Sequence, residues 1–422
     1  MTGALPDESL AAFSDFIGAY LGLYFPKVRW PELKKGLAGA ALEFGFDDPE
    51  ACVRWLMASD LSRGQIEALA GHLTVGETYF FRGDNCFEAL AKVVLPGLIG
   101  LRRTSGKYLR IWCAGCCSGE EPYSIAILLD EMGLDPKEWH ISILGTDVNP
   151  LFLRKAVKGT FSKWSFRNTT EAVRDKYFQR TGDGRFLLLP RIRTNVTFRY
   201  HNLAENSYPS LLTNTNAMDL ILCRNVLMYF TAENQRRVVA KLRQCLVDGG
   251  RLLVSPSEVS DFLLSQFDAI DIHGLTVFQK GPEGSRQGDP EGIESEPFEK
   301  SSPAADAAAP AALVPIQSAA PPASAGEAAS RDPLAEARKM ANQGRLAEAS
   351  DLCRKALAGD KCNPRSYYLL AVVLQEQGSL EEAEDALRNA IYLDQDFALA
   401  HIMLGNVKLR RGRMPGGTGR TR

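Results

Sequence analysis

A run of fifty residues, 281–330, constrains this chain more than any other feature. Pro, Ala, Gly, Ser and Glu dominate it, as in PAADAAAPAALVPIQSAAPPASAG, and large apolar side chains are almost absent. Such a stretch buries too little surface to offset the entropy of ordering, so it reads as a disordered Pro/Ala-rich linker. The chain is therefore at least two bodies. Its 422 residues point the same way, because single cores stop growing well short of that length.

The part behind the linker, 331–413, repeats. Gly344, Gly378 and Gly412 stand 34 residues apart, and the pairs Ala337/Ala371, Ala349/Ala383 and Ala356/Ala390 keep the same step. Small residues at fixed phase let paired helices approach closely, and a period of 34 is that of tetratricopeptide (TPR) repeats. The third repeat stops after its first helix, and residues 414–422 read as a flexible tail. An array this short needs support from a partner.

Ahead of the linker lie two more patterns. Residues 1–80 read as a helical N-terminal domain: Phe13, Phe16, Ile17, Tyr20 and Leu21 recur at helical steps. Residues 81–280 alternate, with strands expected at 108–113, 141–145, 196–200, 219–223 and 251–255. A helix is expected from 120 to 132, and another from an N-cap at Thr231 to a stop at Gly249. Strand–helix alternation predicts an α/β, Rossmann-like doubly wound sheet, whose ligands bind beyond the carboxyl ends of the strands.

A net charge of -2 gives no support for nucleic acid or an anionic membrane as partner. No apolar run is long enough to span a bilayer and the N-terminus lacks a secretory pattern, so a cytoplasmic protein is expected. The nine cysteines read as free thiols. Cys113, Cys116 and Cys117 cluster without a second ligand pair, so no metal site is expected.

The first strand runs into CAGCCSGEEPYS (113–124). Gly115 and Gly119 allow a tight turn against a ligand, and Pro122 sits where a helix begins. The spacing does not fit the dinucleotide fingerprint. The second strand ends at Asp147, where a carboxylate can hold two ribose hydroxyls.

Together with these, GETYFFR (76–82), GTDVN (145–149), HNL (201–203) and CRNVLMYF (223–230) resemble the signature segments of chemoreceptor glutamate methyltransferases, the CheR type. The resemblance covers roughly residues 5 to 280, and fusion to TPR repeats also occurs in that family. It implies a Rossmann-like S-adenosylmethionine-dependent methyltransferase domain, a helical N-terminal domain and a small β subdomain near 181–200. By the same resemblance, Thr78 and Arg82 reach the amino-acid end of S-adenosylmethionine, as does Glu120, with Glu121 as the alternative. Gly115 and Asp147 complete the loop and ribose contacts, Asn202 and Leu203 flank the adenine, and Arg224 and Asn225 lie near the reacting methyl. Arg82, Arg224 and Tyr229 are the candidate catalytic groups. Gly76 departs from the pattern, since many relatives carry Asn there, and one cofactor contact is lost with it.

The implied reaction is methyl transfer to glutamate side chains on the coiled-coil region of a chemoreceptor-like protein. It yields methyl esters and S-adenosylhomocysteine, and serves sensory adaptation. The TPR module implies a further protein partner. A glutamate is already ionised at neutral pH, so no general base is assigned. The competing readings are a methyltransferase for another acceptor and a non-catalytic TPR scaffold. The linker predicts that the part ending near Lys280 folds independently of the repeats.

Overall fold

The computed structural model describes residues 5–282 and 333–412, apart from positions 105, 136, 137, 212, 273, 361, 362, 395 and 396. All but the first two residues of the expected linker, and the expected tail, lie outside the described residues.

The N-terminal domain is four helices, Asp7–Leu21, Trp30–Glu43, Pro49–Met57 and Arg63–Leu73. Their starts are encoded locally. The Asp48 carboxylate accepts from the backbone N–H groups of Glu50 and Ala51, and Ser62 and Gln65 cap reciprocally. The helical-step residues Leu10, Phe13, Ile17 and Leu21 face inward and meet Leu33, Leu37, Leu56 and Leu69 in one core. That core ends at Leu73, and 74–82 crosses to the next domain.

The second domain is a seven-stranded sheet. Its members are β1 (Tyr108–Ala114), β2 (His140–Asp147), β6 (Val196–Tyr200), β7 (Met218–Leu222), β8 (Leu246–Leu253), β9 (Asp268–Ile272) and β10 (Leu275–Gln279), in the order β6-β2-β1-β7-β8-β10-β9. The first five are parallel, and β10 pairs antiparallel with β8 and β9. Every residue of β7 is buried, as expected of a parallel strand covered on both faces. The hairpin of β9 and β10 was absent from the sequence expectation, since its short strands alternate weakly.

Two expectations need correction. The helix capped by Thr231 runs Ala232–Cys245 and stops there, not at Gly249. The chain enters β8 at Leu246, and the register against β7 shifts between Met218 and Leu220. Gly249 takes φ 77° and a Cβ on Gly250 would sit 2.8 Å from the Val247 carbonyl, so the glycine pair makes an irregularity within the strand rather than a helix stop. The β subdomain spans 160–188, not 181–200. It is an antiparallel sheet of β3 (Thr160–Phe161), β4 (Phe178–Arg180) and β5 (Phe186–Leu188), ordered β3-β5-β4, while 196–200 pairs with β2 in the main sheet. Packing overrode adjacency: Phe161, Phe166 and Phe178 close around Phe80.

The C-terminal helices are Pro333–Asn342, Leu346–Gly359, Pro364–Glu376, Leu380–Leu393 and Ala398–Gly412. Ala337, Ala349, Ala371 and Ala383 are fully buried between them, which is the packing reason for small residues at the repeat phase. No described helix is long and apolar enough to cross a membrane.

Candidate functional site: a crevice at the carboxyl end of the sheet

Strand order reverses between β1 and β7, so the loops leaving their carboxyl ends diverge and open a crevice. A cavity of about 410 Å³ lies there. Its walls come from the segments after β1, β2, β6 and β7, from 74–82, and from Leu21 and Leu23 of the N-terminal domain. That domain is fixed over the crevice by hydrogen bonds to its backbone. Leu23 bridges Phe230, Tyr24 N–H donates to the Tyr229 carbonyl (2.8 Å), and Asn202 Nδ2 donates to the Tyr20 carbonyl (2.7 Å). Asn149 Nδ2 donates to Thr74 Oγ1 (2.8 Å), tying the start of the crossing segment to the end of β2.

The loop after β1 needs its first glycine. Gly115 takes φ 78°, and a Cβ there would lie 2.3 Å from a Val226 methyl carbon. The loop then folds back on Asp147, whose carboxylate accepts from Cys117 N–H and Asn149 N–H, both at 2.8 Å. Burial lifts the Asp147 carboxyl to about 6 even though N–H groups of Asn149, Cys117 and Val148 pull it down. Cys116 and Cys117 line the same wall as buried thiols pushed upward by burial, Cys117 to about 12.

Of the adjacent acids, the structure brings Glu121 to the cavity and not Glu120. The Glu120 carboxylate turns to the Ser118 hydroxyl (2.8 Å) and the Ser165 hydroxyl (3.0 Å), joining the loop to the β subdomain. Successive helical residues point about 100° apart, so only one of the pair can face the crevice. Glu121 lines it and pairs with Arg224 at 3.0 Å. Burial raises the Glu121 carboxyl and Arg224 counters it. Arg224 also donates to the Arg82 carbonyl (2.7 Å), so one guanidinium clamps two loops.

Thr78, Arg82, Gly115, Asp147, Asn202, Leu203, Arg224, Asn225 and Tyr229 all line the cavity; Gly76 does not. A Cβ at Gly76 would meet the Phe152 ring at 2.6 Å, and Phe152 is itself in the wall. The space a side chain at 76 would need is thus taken by an aromatic ring. His201 also lines the cavity, its Nε2 without a partner; burial, then Lys241, pulls its pKa down to about 4, leaving a neutral ring.

Sequence reasoning passed over Glu258, which organises the wall after β7. Its carboxylate accepts from the N–H groups of Asn225 (2.7 Å), Val226 (2.8 Å), Met228 (3.2 Å) and Ser255 (3.1 Å). Asn225 is held at φ 59°, in the left-handed region that Asn tolerates better than most residues with a side chain. The Ser255–Glu258 capping box was the legible signal.

Residues 76–273 match the family model for the SAM binding domain of CheR methyltransferase, and 341–407 match that for tetratricopeptide repeats. Chemotaxis protein methyltransferase 2 of Vibrio cholerae is 35% identical over 220 residues, covering 52% of this chain and 75% of that protein. A probable biofilm formation methyltransferase, WspC, of Pseudomonas aeruginosa is 31% identical over 362 residues, covering 81% and 82%. Its namesake in Pseudomonas putida is 26% identical over 420 residues, covering 96% and 95%. With identity sustained over that much of these relatives, and with the crevice those residues form, this chain belongs to the CheR family of S-adenosylmethionine-dependent methyltransferases and carries a C-terminal TPR module.

Proposed function

We propose that this enzyme methylates glutamate side chains on the cytoplasmic coiled-coil region of a chemoreceptor-like signalling protein, forming methyl esters in sensory adaptation. The observation that carries the reading is the chemistry of the crevice wall. It offers two guanidinium groups, Arg82 and Arg224, while its one imidazole, His201, is buried and turned into a weak base. The wall's carboxylates are already engaged, Asp147 by backbone N–H groups, Glu121 by Arg224 and Glu77 by Arg167, so the wall is poorly equipped to deprotonate an amine or alcohol. It suits an acceptor that arrives ionised, as a carboxylate does. The likeness of this chain to the chemotaxis methyltransferase of Vibrio cholerae supports the same acceptor.

The residues present fit S-adenosylmethionine. Asp147 would accept from the ribose hydroxyls, and Asn202 and Leu203 would flank the adenine. Arg82 with Thr78 would hold the amino-acid end, with Glu121 on its ammonium. The bound cofactor supplies a methyl group already activated on a sulfonium. What remains for the protein is orientation. Arg224 is already committed to Glu121, so it offers the acceptor only mild attraction, which avoids over-stabilising the ground state. The apolar walls from Leu21, Leu23 and Phe230 exclude water from the carboxylate, and near-attack alignment can supply roughly 7–11 kcal/mol. Tyr229 stands in the wall beside them, with the Arg29 guanidinium 4.9 Å from its ring centroid.

The test is the product's stability to alkali. Tritiated methyl donor, the enzyme and a receptor cytoplasmic fragment are incubated, and volatile counts released by mild base are collected. Receptor-dependent volatile counts are expected, because esters release methanol. Label that is incorporated but survives alkali would reject the ester and favour a nitrogen acceptor.

A further inference from the structure

The repeats do not only follow the body in sequence; they rest on it. Gly344 and Gly378 are equivalent turns of successive repeats, both at positive φ (77° and 80°). The first lies against the loop before β7 and the start of β8: a Cβ there would be 3.2 Å from Ala217 Cβ and 3.5 Å from Val247. The second lies against the starts of β1 and β2: a Cβ there would be 3.6 Å from both the Tyr108 hydroxyl and the His140 ring.

Polar groups lock both turns. Tyr108 donates its hydroxyl to the Gln377 carbonyl (2.5 Å) while stacking on His140. Arg110 forms an ion pair with Glu376, and these side chains are only 13% and 12% exposed. The same guanidinium donates to Asn214 Oδ1 (2.5 Å) and the Asn216 carbonyl (3.2 Å). Asn216 Nδ2 donates across the seam to the Ala341 carbonyl (3.1 Å). Asn214, Thr215 and Asn216 are all buried, although they form a polar loop between β6 and β7. Polar residues of this kind are usually solvent-facing, and here Asn216 finds its partner on the repeats while Asn214 receives the guanidinium that also holds Glu376. Leu211 of the same loop packs into the repeats' apolar cores.

We infer that the methyltransferase domain is the standing partner of its own repeats, holding them in cis as one rigid unit through the Arg110–Glu376 and Tyr108–Gln377 seam. This supplies the support that so short an array needs. It replaces the expectation of an independent module on a flexible tether. The seam lies at the amino ends of the strands, whereas the cofactor crevice lies at their carboxyl ends. Arg110 and Gly115 are five residues apart along β1, roughly 16 Å at the usual rise. Docked repeats therefore leave the crevice mouth open, and a protein bound to them is held at a fixed offset from the site of methyl transfer. The inference does not depend on which acceptor is methylated.

The test uses the full chain with a protease site introduced into 303–326. After cleavage the two pieces should co-elute in gel filtration at micromolar concentration. Glu376→Arg places a cation against Arg110, and should weaken the association at least about 30-fold, so that the pieces separate. Helical circular dichroism and S-adenosylhomocysteine binding should persist in that variant, because Glu376 lies outside the cofactor crevice. Tyr108→Phe, a milder change, should weaken association about fivefold. Separation of the wild-type pieces on cleavage would overturn the inference. So would co-elution of the Glu376→Arg pieces with undiminished affinity.

Discussion

Replacing Asp147 by Asn tests the assignment of the crevice to S-adenosylmethionine. Burial carries this carboxyl from 3.8 to about 6, with backbone N–H groups opposing. Two pKa units correspond to about 3 kcal/mol of preference for the protonated form in the folded protein. The folded pKa is raised, so this contribution to stability is complete below pH 3.8 and is lost as pH rises through about 6. Above that, the free enzyme carries a strained anion. Ribose hydroxyls would donate to that anion, so ligand binding should draw on the charged form. The wild-type affinity for S-adenosylhomocysteine should then rise about tenfold per pH unit up to 6 and level off above it. Asn cannot ionise and keeps one acceptor oxygen. It should lose one charge-assisted bond of about 1.5–3 kcal/mol, a weakening of roughly 10- to 100-fold at pH 8. Its fold should suffer little. The amide sets a donor against the N–H of Cys117 or Asn149, at about 1–3 kcal/mol, but the buried charge is gone. Calorimetric titrations from pH 5 to 8, with thermal melts alongside, measure both quantities. A wild-type affinity flat across that range, or an Asn variant that binds as tightly as wild type, would refute the reasoning.

The other predictions concern the walls of the crevice. Glu258→Gln should lower methyl transfer per folded molecule about tenfold or more, because an amide presents a donor to N–H groups that now find an acceptor; Glu258→Asp should recover part of it, and equal turnover in all three proteins would show that the loop needs no such anchor. Glu121→Leu strands the buried Arg224 guanidinium and should destabilise the fold by about 3–5 kcal/mol, whereas Glu121→Leu with Arg224→Met should restore most of it; a denaturant-unfolding cycle with no coupling would contradict the pairing. Gly115→Ala should abolish cofactor binding while leaving the N-terminal domain folded, since its methyl collides with Val226 at a positive φ; calorimetric binding within twofold of wild type would contradict the loop geometry.

Much of this molecule is written locally. The parallel strands were legible from strand–helix alternation, and β6 was placed at its observed bounds. The caps at Thr231 and Ser62 act within three residues, so chemistry close in sequence suffices for them. The repeat phase was legible because small residues must recur wherever helices touch. Most of the candidate site was suggested by motif segments that, apart from the crossing segment 76–82, lie in loops leaving the carboxyl side of one sheet.

Other features depend on groups far apart in the chain, and only the tertiary structure decided them. Glu120 and Glu121 are equivalent neighbours in sequence; Ser165 draws one away and Arg224 draws the other in. Glu258 reads as a cap residue until β7 and β8 lie side by side and bring Asn225 and Val226 to its carboxylate. The β subdomain was placed too late because aromatic packing around Phe80 recruits strands from 160 onward. The seating of the repeats is the extreme case. Arg110 and Glu376 are separated by 266 residues, so nothing in either neighbourhood signals the other. A period or a cap is set by bonds along the chain, whereas an ion pair across a seam is set by which surfaces meet, and that exists only once the chain has folded.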